Sequence, residues 1–314
     1  MARFLVTGGA GFIGSHIVAG LLRRGDTVGV LDNLSTGQRR NLDSCESQIE
    51  WYEGDLNDPE LVRRALDGVE VVIHQAALPS VPLSIEDPVA THTACTTGTV
   101  QLLDQARRSG VRRVVYAASS SLYGDRPTMS NRETDVPAPQ SPYAAAKLAA
   151  EYYCHAFYHS FGLETVCLRY FNVFGPRQDP YSAYSAVIPL FITALLAGRP
   201  PTVFGDGLQS RDFTYVENVV QGNLLAADAN GVAGQSFNLA QGSRITLLEL
   251  IAILNRHLGT DLKPVHAEPR AGDIRDSSAD ITLARRLLGY QPQVDFEEGV
   301  RRSIEYYRDW AESS

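Results

Sequence analysis

The chain predicts an α/β fold, a doubly wound parallel sheet with a smaller mixed α/β lobe, and three observations carry this. The apolar strand Phe4-Leu5-Val6-Thr7 runs at once into Gly8-Gly9-Ala10-Gly11-Phe12-Ile13-Gly14 and then into a helix-like stretch from Ser15 to Leu22. Short apolar strands and longer helix-like stretches then alternate through residue 170, the pattern of parallel strands joined by crossover helices. Beyond 170 the texture changes to aromatic loops, short strands and Pro/Gly turns such as Gly205-Asp206-Gly207.

Composition narrows the function classes. Hydrophobic residues make up 44% and charged residues 20% of 314, a soluble globular composition with an ample core. The net charge of −8 argues against a nucleic-acid or anionic-membrane surface. No apolar run approaches the ~20 residues of a membrane span. The chain opens directly on its first strand without a leader-like segment, so we expect a cytoplasmic protein. Cys45, Cys95, Cys154 and Cys167 are scattered and form no close-spaced ligand pair. They read as reduced thiols, and we expect no metal site.

The first strand and its glycines set the cofactor expectation. Gly8, Gly11 and Gly14 are spaced three and three. Their missing side chains allow a tight turn, a close approach to a pyrophosphate and tight helix packing, and the helix N-terminus offers amides to the anion. The next strand, 27–31, ends in Asp32-Asn33. An acid there accepts hydrogen bonds from an adenosine ribose and repels a 2′-phosphate, which points to NAD rather than NADP. Asp55, with Leu56 beside it, follows the third strand and either reaches the adenine or is a simple turn acid.

The fourth strand, 69–73, delivers His74-Gln75-Ala76-Ala77 and then Ser80 to its carboxyl end, where open α/β sheets bind ligands. The small alanines suit close passage over a cofactor, whereas His74 reads as a satisfied structural histidine more than a catalyst. A long helix, 89–108, leads to the fifth strand, 111–118, and the sixth strand spans 164–169.

Chemistry concentrates between 119 and 147. The fifth strand delivers three hydroxyls, Ser119, Ser120 and Ser121, and a Pro-rich loop then leads to Tyr143-Ala144-Ala145-Ala146-Lys147. Tyrosine and lysine four apart share one helix face. A phenol that titrates near pH ~10 needs roughly three units of depression, about 4 kcal/mol, to act as a base at neutral pH. An ammonium about 4 Å away at an effective dielectric near 20 is worth about that much. We expect Lys147 to hold Tyr143 partly as phenolate, with a strand-end serine sharing the proton. Alone, this pentapeptide is equally an ordinary helix face. What precedes it gives it weight.

With these motifs in this order, the sequence resembles the extended short-chain dehydrogenase/reductase family over essentially its whole length. Within that family it resembles the UDP-hexose 4-epimerases, through Thr7-Gly8-Gly9-Ala10-Gly11-Phe12-Ile13-Gly14, Ser141-Pro142-Tyr143, the stretch from Leu168 to Gln178 and Ser210-Arg211-Asp212-Phe213. The resemblance implies a Rossmann-like NAD-binding domain over 1–170 and mainly a UDP-sugar lobe over 171–314, with some later segments returning to the first domain. It implies Tyr143 as the base, Lys147 as its electrostatic partner and ribose ligand, and Ser119 as the hydroxyl completing the relay. NAD would lie on Gly8, Gly11, Phe12, Ile13, Gly14, Asp32, Asn33, Asp55, Leu56, Gln75, Ala76, Ala77, Tyr143, Lys147 and Tyr170. The UDP-sugar would lie on Ser80, Ser120, Ser121, Asn172, Ala186, Val187, Phe204, Arg211, Arg270, Asp273 and Ser277. Relatives also often dimerise through two helices from each subunit, here 89–108 and 143–160.

Sister activities differ at readable positions. The family's dehydratases carry an Asp-Glu pair after the catalytic hydroxyl, where this chain has Ser120 and Ser121. Uronate-specific epimerases place an arginine where this chain has Asp179, which repels a carboxylate. Epimerases restricted to plain hexoses tend to carry a tyrosine where this chain has the small Ser277. Ser80, Asn172, Ala186 and Ser277 together resemble the bacterial UDP-N-acetylglucosamine 4-epimerases, although Pro79 stands where those have glycine. Two other classes compete with an epimerase. One is a dinucleotide-binding sensor that kept the fold without the chemistry, and the other is a net oxidoreductase releasing an oxidised or reduced sugar.

Overall fold

A computed structural model describes residues 2–125, 130–180, 186–269 and 275–313. The strands β1 (Arg3–Thr7), β2 (Thr27–Asp32), β3 (Ile49–Glu53), β4 (Val71–His74), β5 (Arg113–Ser119) and β6 (Glu164–Tyr170) are joined by a seventh, Gln235–Leu239. All seven form one sheet in the order seventh-β6-β5-β4-β1-β2-β3, and every pairing is parallel. The chain winds outward from β1 in one direction and from β4 in the other. The switch between them opens a crevice at the carboxyl ends of the strands.

Alternation along the strands builds the two faces. Phe4, Val6, Ile73, Val115 and Ala117 point into one buried layer with Ile17 and Leu21 of helix α1 (Phe12–Arg24). Leu5, Val72, Val114, Tyr116 and Ala118 point into the other, against Leu102 and Leu103 of the helix Gly98–Arg108 and Ala150 and Cys154 of the helix Pro142–Phe161. All four cysteines are buried and unpaired.

The seventh strand, with Gln235, Ser236 and Asn238 among its five residues, shows no apolar run in the sequence. It pairs in register with β6, Phe237 beside Leu168 and Leu239 beside Tyr170. The expected helix 89–108 is also more complex. It runs as Pro88–His92, then a five-residue π segment, Thr93–Thr97, then Gly98–Arg108. Thr96 Oγ1 in that wider turn donates to the Ala146 carbonyl at 3.1 Å, which binds the π segment to the helix carrying Tyr143 and Lys147. π turns of this kind frequently mark functional sites.

The remaining strands form small separate sheets. Ser210–Arg211 pairs with Asp276–Ser277 and with Ile245–Thr246, and Thr202–Phe204 pairs with Val265–Ala267. Their core is aromatic: Phe213 stacks on Phe296 with centroids 5.6 Å apart, and Phe174 meets Tyr215 edge-on. Among the described residues, no helix is long and apolar enough to cross a membrane.

Candidate active site

The first strand turn forms as its glycines require. Gly8 has φ +67°, and a Cβ there would sit 2.6 Å from the Ala76 amide nitrogen, so β1 and the end of β4 touch backbone to backbone. A Cβ on Gly14 would sit 2.1 Å from the Gly8 carbonyl oxygen. Ala77 follows Ala76 on the same turn. The remaining glycine differs. A Cβ on Gly11 would meet only the Gly8 carbonyl, at 3.2 Å, so open space lies beyond it. Gly11 caps α1 without any side-chain hydrogen bond, leaving the first amides of the helix, among them Phe12 and Ile13, to an outside acceptor.

Asp32 closes the second strand, buried, with Oδ2 accepting the Ala10 amide at 2.9 Å and Oδ1 the Leu34 amide at 2.8 Å. Burial pushes its carboxyl up and these two amides oppose. Two lone-pair directions remain on the carboxylate. Asn33 Nδ2 donates to Asp55 Oδ2 at 2.7 Å, which ties the loops after β2 and β3 together, and Leu56 is buried behind them. Gln75 Nε2 donates to the Tyr170 hydroxyl at 2.9 Å, and that hydroxyl donates to Asn223 Oδ1 at 3.0 Å. Asn223 had no signal in the sequence beyond its place in an unremarkable helix.

His74 is the structural residue expected. Its ring nitrogens meet Thr7 Oγ1 at 2.6 Å and Thr99 Oγ1 at 2.9 Å. Thr99 donates its own proton to the Cys95 carbonyl at 2.6 Å, so it accepts from Nε2–H, and Thr7 donates to Nδ1. Burial holds this ring neutral, its pKa lowered to about 3.

The reactive groups converge from two elements. Ser119 ends β5 in register with Tyr170 of β6, its Oγ 2.9 Å from the Ser121 hydroxyl and 3.2 Å from the Ser121 amide. Ser120 opens the short turn that follows. Tyr143 and Lys147 lie in the first two turns of the helix Pro142–Phe161, started by the Ser141 cap and the N-terminal proline. Lys147 is buried at 3% exposure, and no ion pair joins it to a carboxylate among the described residues. Only two of the 28 Lys and Arg residues are lysines, Lys147 and the exposed Lys263. A chain that otherwise uses arginine keeps a compact ammonium here.

Burial acts on both members of the Tyr143/Lys147 pair. Burial pushes the Tyr143 phenol up to about 12, and the interaction with Ser119 is what opposes it. Burial also lowers Lys147.

Residues beyond β6 line a pocket of about 260 Å³, among them Asn172, Ala186, Val187, Phe204 and Arg211. Five expected substrate positions thus meet in one place. Asn172 adopts φ +34° after β6 and donates from Nδ2 to the Asp212 carbonyl at 3.3 Å. Ser277 lies on the strand beside Arg211. Ser80 caps the short helix Val81–Glu86 through the Leu83 amide. Gln209, not expected from sequence, is buried in the pocket wall and donates to the Phe204 carbonyl at 2.7 Å. Arg270 and Asp273 lie outside the described residues.

A dinucleotide fits this crevice on three counts: uncapped helix amides beyond Gly11 for a diphosphate, free carboxylate lone pairs on Asp32 for a diol, and a buried lysine that no carboxylate pairs among the described residues. A parallel sheet with these features and a Tyr/Lys pair beside a strand-end serine defines an extended short-chain dehydrogenase/reductase. Comparison with known proteins narrows the class. Residues 4–240 match the model of the NAD dependent epimerase/dehydratase family, and the chain belongs to that family, with NAD as its cofactor. It is 40% identical over 312 residues to UDP-glucose 4-epimerase of Mycolicibacterium smegmatis, covering 98% of this chain and 99% of the relative. It is 31% identical over 319 residues to UDP-glucuronate 4-epimerase of Thermodesulfobacterium geofontis, covering 98% and 97%. The structure of UDP-N-acetylglucosamine 4-epimerase from Methanobrevibacter ruminantium M1, in complex with UDP-N-acetylmuramic acid, superposes with a TM-score of 0.94 at 38% identity, covering 98% and 99%.

Proposed function

We propose that this NAD-dependent UDP-sugar 4-epimerase, an isomerase, interconverts UDP-N-acetylglucosamine and UDP-N-acetylgalactosamine, and also accepts UDP-glucose and UDP-galactose. The observation that carries the N-acetyl preference is the small Ser277 beside Arg211, in register on adjacent parallel strands. A hydroxymethyl there leaves room at the second carbon of the sugar that a tyrosine would fill.

The proposed chemistry assigns roles to named atoms. Tyr143 takes the proton from the sugar's 4-hydroxyl, Ser119 shares that proton, and Lys147 holds the cofactor ribose and favours the phenolate. Bound NAD would supply a reversible hydride acceptor for C4 and a positive charge near Tyr143 that favours its ionisation. After oxidation the 4-keto sugar must present its other face. Asn172, the backbone of 186–190, Phe204, Arg211 and Arg270 hold the UDP part and Asp273 contacts the nucleotide's ribose, leaving the hexose free to turn. Ser80, Ser120 and Ser121 offer hydroxyls around the sugar. Gly8, Gly11, Phe12, Ile13, Gly14, Asp32, Asn33, Asp55, Leu56, Gln75, Ala76, Ala77 and Tyr170 complete the cofactor's bed. In this division 1–170 chiefly holds NAD and 171–314 chiefly the UDP-sugar, with the strand Gln235–Leu239 returning to the first unit.

The protein is proposed to work as a cytoplasmic homodimer. Ile85, Val89, Tyr152 and Tyr153 are exposed on helices that flank one side of the sheet, and this apolar face supports the pairing. Sedimentation showing only monomer would end that proposal. The deciding assay follows product epimers by chromatography from four UDP-sugars, with no NAD added. Turnover of UDP-N-acetylglucosamine at or above that of UDP-glucose supports the preference, and turnover of the plain hexose alone overturns it.

A further inference from the structure

The Lys147 ammonium lies over the face of the Tyr116 ring, 4.5 Å from its centroid. The hydroxyl of the same tyrosine donates to Lys147's own carbonyl at 3.4 Å. Tyr116 is fully buried on β5, three residues before Ser119. One aromatic side chain therefore touches both ends of the lysine, and it comes from the strand that delivers the catalytic serine.

The surroundings of the ammonium explain why a ring is used. Its own helix presents Tyr143, Glu151 and Cys154, β4 presents His74, β6 presents Cys167, and the π segment presents Cys95. His74 is held neutral by burial, and burial pushes the Cys167 thiol well up. Glu151 is fully buried and engaged through both oxygens by Arg169, at 2.6 to 3.2 Å, so its charge is already matched. Burial favours loss of the lysine proton. The negative face of an aromatic ring opposes that loss without consuming an N–H donor, and such contacts strengthen when desolvated. A carboxylate in the same place would hold the ammonium by hydrogen bonds and compete with ribose hydroxyls.

We propose that Tyr116 is a positioning residue for Lys147: its ring face seats the ammonium, keeps it charged in a dry site, and holds it one helical turn from Tyr143 with its donors free for the cofactor ribose.

Because the chain has only two lysines, the proposal can be tested directly. Protein labelled with ¹³C,¹⁵N-lysine and purified with its NAD gives two side-chain signals, and Lys263→Arg identifies the one that is not Lys147. Tyr116 is replaced by Phe and by a series of increasingly fluorinated phenylalanines, which keep the shape of the ring while draining its negative face. Tyr116→Phe should leave the Lys147 titration close to wild type. The most fluorinated ring should lower it by roughly one pH unit, with intermediate rings in between. The alkaline limb of kcat should move with it while KM for the UDP-sugar holds. A Lys147 titration that stays fixed across the series overturns the proposal, as does a Phe variant already displaced as far as the most fluorinated one.

Discussion

Ser277 and Arg211 are direct neighbours on parallel strands, and the Asp212 amide, next along, donates to the Ser277 carbonyl at 2.8 Å. The position of residue 277 is therefore set by backbone, not by its own small side chain. Ser277→Tyr should change the room in front of Arg211 without moving the strand. Overpacking a fitted site costs about 1–3 kcal/mol, so kcat/KM for UDP-N-acetylglucosamine should fall roughly 10- to 100-fold while that for UDP-glucose is retained. Equal losses on both sugars would show that residue 277 does not choose between them.

Tyr143→Phe removes one oxygen from the reacting end of the helix Pro142–Phe161 and leaves the Ser141 cap in place. Positioned acid–base groups contribute about 10²- to 10⁴-fold. We expect kcat to drop by that range with UDP-sugar affinity, measured by calorimetry, nearly unchanged. A Phe variant with normal turnover would remove the proposed base.

How far the sequence disclosed this site depends on how local each signal is. The glycine turn, Asp32 and the Tyr143/Lys147 spacing are legible because each rests on residues adjacent in sequence or one helical turn apart. The strand Gln235–Leu239 is not, since its neighbour β6 lies far back in the chain and its polar residues obscure any apolar run. Asn238 is buried, accepting from the Tyr123 hydroxyl at 2.7 Å, and Ser236 donates to Glu151 at 2.7 Å. These partners come from other elements, so nothing near 236 or 238 in sequence announces them. The π turn at Thr93–Thr97 and the seat of Lys147 on Tyr116 likewise exist only once β5 and the two helices are packed. Burial of the Tyr143 phenol, which raises it, is likewise invisible to an argument from the Tyr143/Lys147 spacing.

Two glycines of the opening turn should separate folding from cofactor binding. Gly14→Ala drives a methyl into the Gly8 carbonyl and the Gly9 Cα, at 2.1 and 2.8 Å, both backbone, so it should cost roughly 1–3 kcal/mol of stability as well as NAD. Gly11→Ala meets only one atom at 3.2 Å and intrudes on the space beyond the α1 amides. Its thermal midpoint should stay near wild type while the NAD recovered from denatured protein falls about tenfold or more, since the methyl blocks close approach of the pyrophosphate. Full NAD occupancy in Gly11→Ala would place the diphosphate elsewhere.

Acid should destabilise the fold through two histidines held neutral. Burial lowers His74 from the usual 6.5 to about 3 and His16 to about 4; His16 meets the Pro176 carbonyl through Nε2 at 3.0 Å. The unfolded chain binds both protons below about pH 6.5 and the folded chain does not, so stability is full above that value and declines as pH falls toward 4 for His16 and 3 for His74. Each uncompensated proton contributes about 1.4 kcal/mol per pH unit. Urea unfolding between pH 7 and pH 4 should therefore steepen below 6.5. His16→Gln, whose amide can still donate to Pro176, should reduce the slope by about one proton. An unchanged slope in that variant would mean that His16 binds its proton in the folded state, and that the ring is more open to water than its packing between Phe12 and Pro176 allows.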